Sequence, residues 1–323
     1  MTPRPSTVAI ETGVDGELAH TTYADMLDRL HGYDDPAVHV QTIDGYLDDP
    51  SLVSDQGKSI SFVNLSYTDS PDSTIVITAG RHSPEYGGAE AAMELVDRVL
   101  ASPEMQTYLQ HGEVTIVPAV HVDEYSKPAD ERKPGFKMVG YHMPPPDSYK
   151  RYDACHNSGH EGHFIDPKPP SYEGDFTHYD QIFDAEADQG GWGGPPYREH
   201  TAIPKETYAV ARLLEEKKEQ GKVLFAADLH ETDADGFEYC TLVFDEELKG
   251  TADAMDAHVS EGYPTQGTQV KSGLNTFSGL CNAYGIDAYT TEGSPRDEWR
   301  QRALAERVEQ QLLALDALFD HYC

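Results

Sequence analysis

The 323-residue chain carries 57 Asp and Glu against 24 Lys and Arg, a formal net charge of −33. A chain so acidic is repelled by nucleic acid and by anionic membranes, which excludes both as partners. Low apolar content with high charge borders on the composition of disordered chains, but 19 Tyr and regular apolar periodicities at both ends and in the middle argue for ordered, packed segments.

The acid is spread over the whole length, which points to solubility in high salt, a halophilic adaptation, rather than to a cationic substrate. A chain of this size can bury a sizeable core, and one domain over residues 1–323 is expected. Cys155, Cys240, Cys281 and Cys323 are far apart and form no disulfide framework, as in a reducing compartment. The first residues lack the pattern of a signal peptide and no run of apolar residues is long enough to span a bilayer, so a cytoplasmic location is expected.

In chain order, Thr22 opens a helix with Tyr23, Met26, Leu27 and Leu30 on one face, stopped by Gly32. Val38–Ile43 and Ser59–Tyr67 read as an antiparallel strand pair. Ser73–Ala79 is a β-branched run of the kind buried on both faces of a sheet. From Tyr86 the pattern turns helical, with Gly87, Gly88, Ala89, Ala91 and Ala92 as a small-residue face. Glu113–Val120 repeats the buried-strand pattern, and residues 121–204, rich in Gly, Pro, His and Tyr, read as a long irregular insertion of functional character. Pro204 starts a helix that stops at Gly221; Lys222–Leu229 is a buried strand ending at His230. A strand at Thr241–Phe244, an acidic helix around Ala252–Val259 and a strand at Ile286–Thr291 follow. Trp299, Leu304, Val308, Leu312, Leu315 and Phe319 form one stripe of a closing helix. Strands alternating with helices predict an α/β fold with a largely parallel or mixed sheet.

Ligands of open α/β sheets collect at the carboxyl ends of the strands. Those ends carry His82 and Glu85, His121 and Asp123, His230 and Glu231, and Glu292. Two His and one Glu form the ligand set of catalytic zinc with one position left open. The H-x-x-E spacing occurs three times, at His82/Glu85, His121/Glu124 and His258/Glu261. Only the first lies between a buried strand and a small-residue helix start, where both side chains can reach one ion; a helix-capping or otherwise satisfied pair is the competing explanation. His230 is the natural distant third ligand, with Asp228 on the same side of its strand and able to orient it. Glu292, just before Gly293, is placed to act as a general base toward water, although a surface glutamate would read the same. The Cys155–His163 segment fits no zinc spacing and reads as a solvated or substrate-lining loop. There is no G-x-S-x-G elbow and no glycine-rich phosphate loop, so neither a serine hydrolase of that type nor a nucleotide cofactor is supported.

Five segments in order resemble the zinc carboxypeptidase superfamily, which includes the succinylglutamate desuccinylase and aspartoacylase deacylases. ITAGRHSPEYGGAE is similar to its strand, A-G-x-H-x-x-E and helix; TIVPAVHVDEY to its next strand and N-P-D-G turn, keeping only the aspartate; HTAIPKETYAVARLL to its S-E-P-E-T segment; AADLHET to its third-ligand motif; GIDAYTTEG to the strand that delivers the catalytic glutamate. The resemblance implies a single three-layer α/β/α domain around a mixed, mostly eight-stranded twisted sheet. It implies one zinc ion held by His82, Glu85 and His230, with Glu292 as general base. The implied reaction is attack of activated water on an amide carbonyl, with the oxyanion held by zinc and a basic side chain; no motif match marks that side chain, and Arg132 or Lys133 is the candidate for it.

Carboxypeptidases of this type hold the substrate carboxylate with an Asn-Arg pair in D-x-N-R-x-F/W. The best match here, His178 to Phe183, has Asp180 and Gln181 in those places, and an acidic residue there repels a carboxylate; Arg151 or Arg198 is the candidate replacement. The expected activity is that of a zinc metallopeptidase of carboxypeptidase type acting on a peptide. An N-acyl amino acid deacylase is the alternative, and a non-catalytic zinc-binding protein of the same fold is a third reading. No obligate protein partner is inferred.

Overall fold

The computed structural model describes residues 22–54, 56–81, 85–126, 205–231, 238–271, 277–293 and 304–323. His82, Arg132, Lys133, Arg151, the Cys155–His163 segment, Asp180, Gln181, Arg198 and Trp299 lie outside the described residues, as does most of the insertion expected at 121–204.

Eight strands form one mixed sheet: β1 (Val38–Thr42), β2 (Ser61–Leu65), β3 (Ser73–Ala79), β4 (Gly112–Val117), β5 (Lys222–Glu231), β6 (Cys240–Val243), β7 (Gln269–Val270) and β8 (Ala288–Gly293). Their spatial order is β1-β2-β4-β3-β5-β8-β6-β7. The central four, β4, β3, β5 and β8, are mutually parallel. Their continuous apolar or β-branched sequences fit this, because helices cover both faces. β1 and β2 form the expected antiparallel pair, and β6 runs antiparallel to β8.

The helices are α1 (Tyr23–His31), α2 (Ile43–Tyr46), α3 (Tyr86–Ala101), α4 (Pro103–Tyr108), α5 (Val122–Tyr125), α6 (Lys205–Gln220), α7 (Lys249–Ser260), α8 (Phe277–Ala283) and α9 (Leu304–Tyr322). A capping box between Thr22 and Asp25 starts α1. α3 and α9 pack on each other and on one face of the sheet, with α7 against α9 and β6; α6 and α8 pack against β5, α8 also against β8. Alternation along β5 assigns its side chains to the two faces. The Phe225 ring meets Phe319 and Tyr322 of α9, and Glu231 meets Arg307 of the same helix. Asp228 and His230 therefore point to the opposite face.

Two departures from the sequence reading bear on the site. The third buried strand runs to Glu231, two residues past Leu229, so His230 lies within the sheet rather than beyond it. The strand expected to reach Val120 stops at Val117, before Pro118, which has no N–H to give a ladder; pairing resumes where the Val120 amide donates to the Ala79 carbonyl and His121 to Gly80. Ile43 leaves its expected strand for α2 because the Thr42 hydroxyl accepts from the Gly45 amide and caps a helical turn. The edge strand β7, two residues long, carries too little pattern to be read from sequence.

Close approach of α3 to β5 depends on its small residues. A Cβ on Gly88 would stand 2.6 Å from the Leu229 carbonyl oxygen, and one on Gly87 would collide with the Glu231 carboxylate. Leu95, Val96 and Val99 are buried on the same helix, each contributing about 1.5–3 kcal/mol of apolar burial. This packing fixes the start of α3, and with it Glu85.

Candidate metal centre

β3, β5 and β8 lie side by side and parallel, so their carboxyl ends share one edge of the sheet. Gly80 makes the turn out of β3 with φ of +62°, a conformation that suits a residue without Cβ. Glu85, five residues after Gly80, is the residue that precedes α3. The Tyr125 hydroxyl donates to the Glu85 carbonyl at 3.1 Å and fixes the helix entry. The Glu85 side chain makes no capping hydrogen bond to α3, which removes the capping explanation for this residue. Instead its Oε2 lies 2.9 Å from Nδ1 of His230, and both side chains are buried.

His230 is held from its other nitrogen. Nε2 lies 2.7 Å from Oδ2 of Asp228, which sits on the same face of β5 as the sequence alternation predicts. The Asp228 carboxylate also accepts from the Thr78 hydroxyl at 2.6 Å and from Arg81 Nε at 3.2 Å. The Arg81 guanidinium lies over the Phe277 ring of α8 at 5.6 Å. Burial alone would raise the Asp228 carboxyl, but the Arg81 and His230 charges and the hydrogen bonds from His230 and Thr78 hold it well below the usual carboxylate range. Burial likewise opposes charge on His230, yet the Asp228 and Glu85 carboxylates raise it well above an ordinary imidazole.

Two buried carboxylates flanking an imidazole make a place for positive charge. Glu85 Oε2 and His230 Nδ1 are near enough to bind one ion together at zinc–ligand bond lengths of about 2.0–2.2 Å. The donor types and their burial thus fit zinc. Among the described residues no group of three or more His, Cys, Asp or Glu stands together as a metal site; the third expected donor, His82, lies outside them.

Glu292 is the ladder partner of His230 in the β5–β8 pair. Partners in a parallel ladder project to the same face, about 4.8 Å apart along the hydrogen-bonding direction, so the proposed base stands on the same face as the proposed ligand and next to it. Cys240 pairs with Glu292 from the other side; burial and the Glu292 charge push its thiol upward.

Other residues of the expected rim do not join the centre. Glu231 points to the opposite face, where Arg307 Nη1 reaches both its oxygens at 2.6 and 2.8 Å and the Gly87 amide donates to it at 3.0 Å. Asp123 is committed to Ser54 Oγ at 2.8 Å and the Gln56 amide at 3.1 Å, with Lys58 Nζ at 3.5 Å. His258 and Glu261, a competing H-x-x-E match, are half-buried and exposed on α7 and its C-cap, away from these strands.

Thr78, Arg81 and Gln311 carry no motif. Gln311 Nε2 donates to the His230 carbonyl at 2.7 Å while its Oε1 accepts from the Thr291 hydroxyl. The available signal was that Arg307 and Gln311 are polar residues on the buried stripe of α9.

No protein-family model matches this chain, and no curated protein matches it. Solved structures do. A metallo-carboxypeptidase from Burkholderia cenocepacia aligns over 93% of this chain and 68% of its own, at 14% identity and a TM-score of 0.56. Bovine thrombin-activatable fibrinolysis inhibitor, solved in complex with tick carboxypeptidase inhibitor, aligns over 93% of this chain and 95% of its own, with 14% identity and a TM-score of 0.56. A metallo-carboxypeptidase from Pseudomonas aeruginosa aligns over 93% and 68%, at 14% identity and 0.51. The chain therefore has a metallocarboxypeptidase-like α/β fold.

Proposed function

We propose that this protein is a zinc-dependent hydrolase of amide or peptide bonds, of the metallocarboxypeptidase type. In this reading His82, Glu85 and His230 hold one zinc ion and Glu292 is the general base. The observation that carries it is the adjacency of Glu292 to His230 in one parallel ladder, with Glu85 2.9 Å from the His230 ring, on a fold shared with metallocarboxypeptidases.

Zinc bound there would supply Lewis acidity to the substrate carbonyl and to water. Glu292 takes the proton of the attacking water and returns it to the leaving nitrogen. Asp228 keeps the His230 ring fixed while Glu85 contributes negative charge to the cation. Arg132 is the candidate for the oxyanion, and Arg151, Asp180, Gln181 and Arg198 are the candidates for the substrate end, from the sequence alone and not from a matched motif.

The test is elemental analysis of protein purified in high salt, followed by assay of free peptides, C-terminally blocked peptides and N-acyl amino acids. Stoichiometric zinc and cleavage of free peptides support the reading. Cleavage of N-acyl amino acids alone replaces it with a deacylase, and bound zinc without turnover of any substrate leaves a binding protein. Glu292→Gln should lower turnover by about 10²–10⁴-fold, the usual weight of a general base, with zinc retained; undiminished turnover would remove Glu292 from the mechanism.

A further inference from the structure

We propose that Asp228 is a positioning residue, which fixes the His230 ring so that Nδ1 faces Glu85 and the metal. The inference rests on the zinc reading of this centre. An imidazole that gives one nitrogen to a metal must place the N–H of the other, and a fixed acceptor there sets both ring orientation and basicity. Asp228 Oδ2 stands 2.7 Å from Nε2, on the side of the ring away from Glu85.

The acceptor is itself immobile. Asp228 is 2% exposed. Thr78 is its ladder partner across the β3–β5 pair, and the hydroxyl of Thr78 donates to its Oδ1. Arg81, at the turn out of β3, reaches its Oδ2 from the far end. The carboxylate is therefore set by pairing of two central strands rather than by a loop, and β3 is the strand that leads into His82 and Glu85. Asp228 and His230 share β5, so the acceptor and the ring it holds stay in fixed relation, while Thr78 and Arg81 tie that carboxylate to the strand that precedes Glu85. Arg81 places its guanidinium against the buried Asp228 carboxylate at 3.2 Å.

The experiment compares wild type, Asp228→Asn and Asp228→Ala as full-length proteins in high salt. Zinc affinity is measured by competition with a chromophoric chelator, the visible spectrum is recorded after cobalt substitution, and folding is monitored by circular dichroism. Asp228→Asn keeps the shape but removes the charge; both variants should lose about 10–100-fold in zinc affinity and show an altered cobalt spectrum while folded. If Asp228 only anchors Arg81, the variants will be less stable, yet the folded fraction will bind zinc with unchanged affinity and an unchanged cobalt spectrum, which overturns the proposal. Should neither variant fold, Thr78→Val, which strips one hydrogen bond from the same carboxylate, takes their place; weakened zinc binding supports the role and unchanged binding overturns it. Failure of the underlying reading is distinguishable, because wild type itself would then bind no zinc.

Discussion

Arg307 of α9 grips both oxygens of Glu231 at the end of β5, with the two side chains each 3% exposed. The pair lies on the face of the sheet opposite the candidate metal centre, one residue from His230. Arg307→Met strands a buried carboxylate, and chemical denaturation should show a loss of about 3–5 kcal/mol. Adding Glu231→Gln should recover much of it, because the uncompensated charge is then gone. Equal stability of the single variant and wild type would show that solvent reaches Glu231.

Gly88→Ala should destabilise by about 1–3 kcal/mol, the range for overpacking a tight contact, since its Cβ meets backbone of β5. The start of α3 must then shift, and Glu85 with it. Calorimetric titration should therefore show weaker zinc binding in the folded variant, whereas a purely distant packing defect would leave binding unchanged.

The fold was legible in sequence wherever a segment was long and buried. The run from Thr74 to Ala79 and the apolar stripe of Leu304, Val308, Leu312, Leu315 and Phe319 are buried, as their sequence predicts. The face of each end-of-strand residue was less legible. Glu231 and His230 are neighbours in sequence and both read as rim residues, yet strand alternation sends one to Arg307 of α9 and the other to Glu85. That assignment needed the strand end to be placed to within one residue. The Asp228–Thr78 contact could not be read at all, because it depends on the register of strands far apart in the chain.

Asp256 of α7 accepts from the Thr241 and Thr268 hydroxyls at 2.9 Å each. Burial raises its carboxyl to about 6, outweighing those two hydrogen bonds. A folded-state value above the unfolded one means that its contribution to stability is complete below the ordinary carboxylate range and is lost as pH rises through 6. Asp256→Asn should thus gain stability relative to wild type between pH 4 and 7 and hold that gain at higher pH. A difference independent of pH would show that the group titrates normally.

The net charge of −33 is expressed at the surface by residues such as Asp34, Asp48, Asp69, Glu104, Glu246 and Glu247, all exposed. We attribute it to work in concentrated salt. Screening shortens from about 10 Å at 0.1 M to about 3 Å at 1 M, so mutual repulsion should fall over that range. The thermal unfolding midpoint is expected to climb steadily between 0.1 and 2 M potassium chloride; a flat response would refute the attribution.

The strand order places β5 between β3 and β8. Glu85 follows β3, His230 lies near the end of β5, and Glu292 arrives last on β8. Contacts between such distant segments form only after long loops have closed. A chain interrupted before β5 would own Glu85 and lack His230; one interrupted before β8 would own both and lack Glu292. In the proposed reading, the described residues for metal binding are therefore all synthesised before the residue for turnover, and none can act until the last strand has joined the sheet.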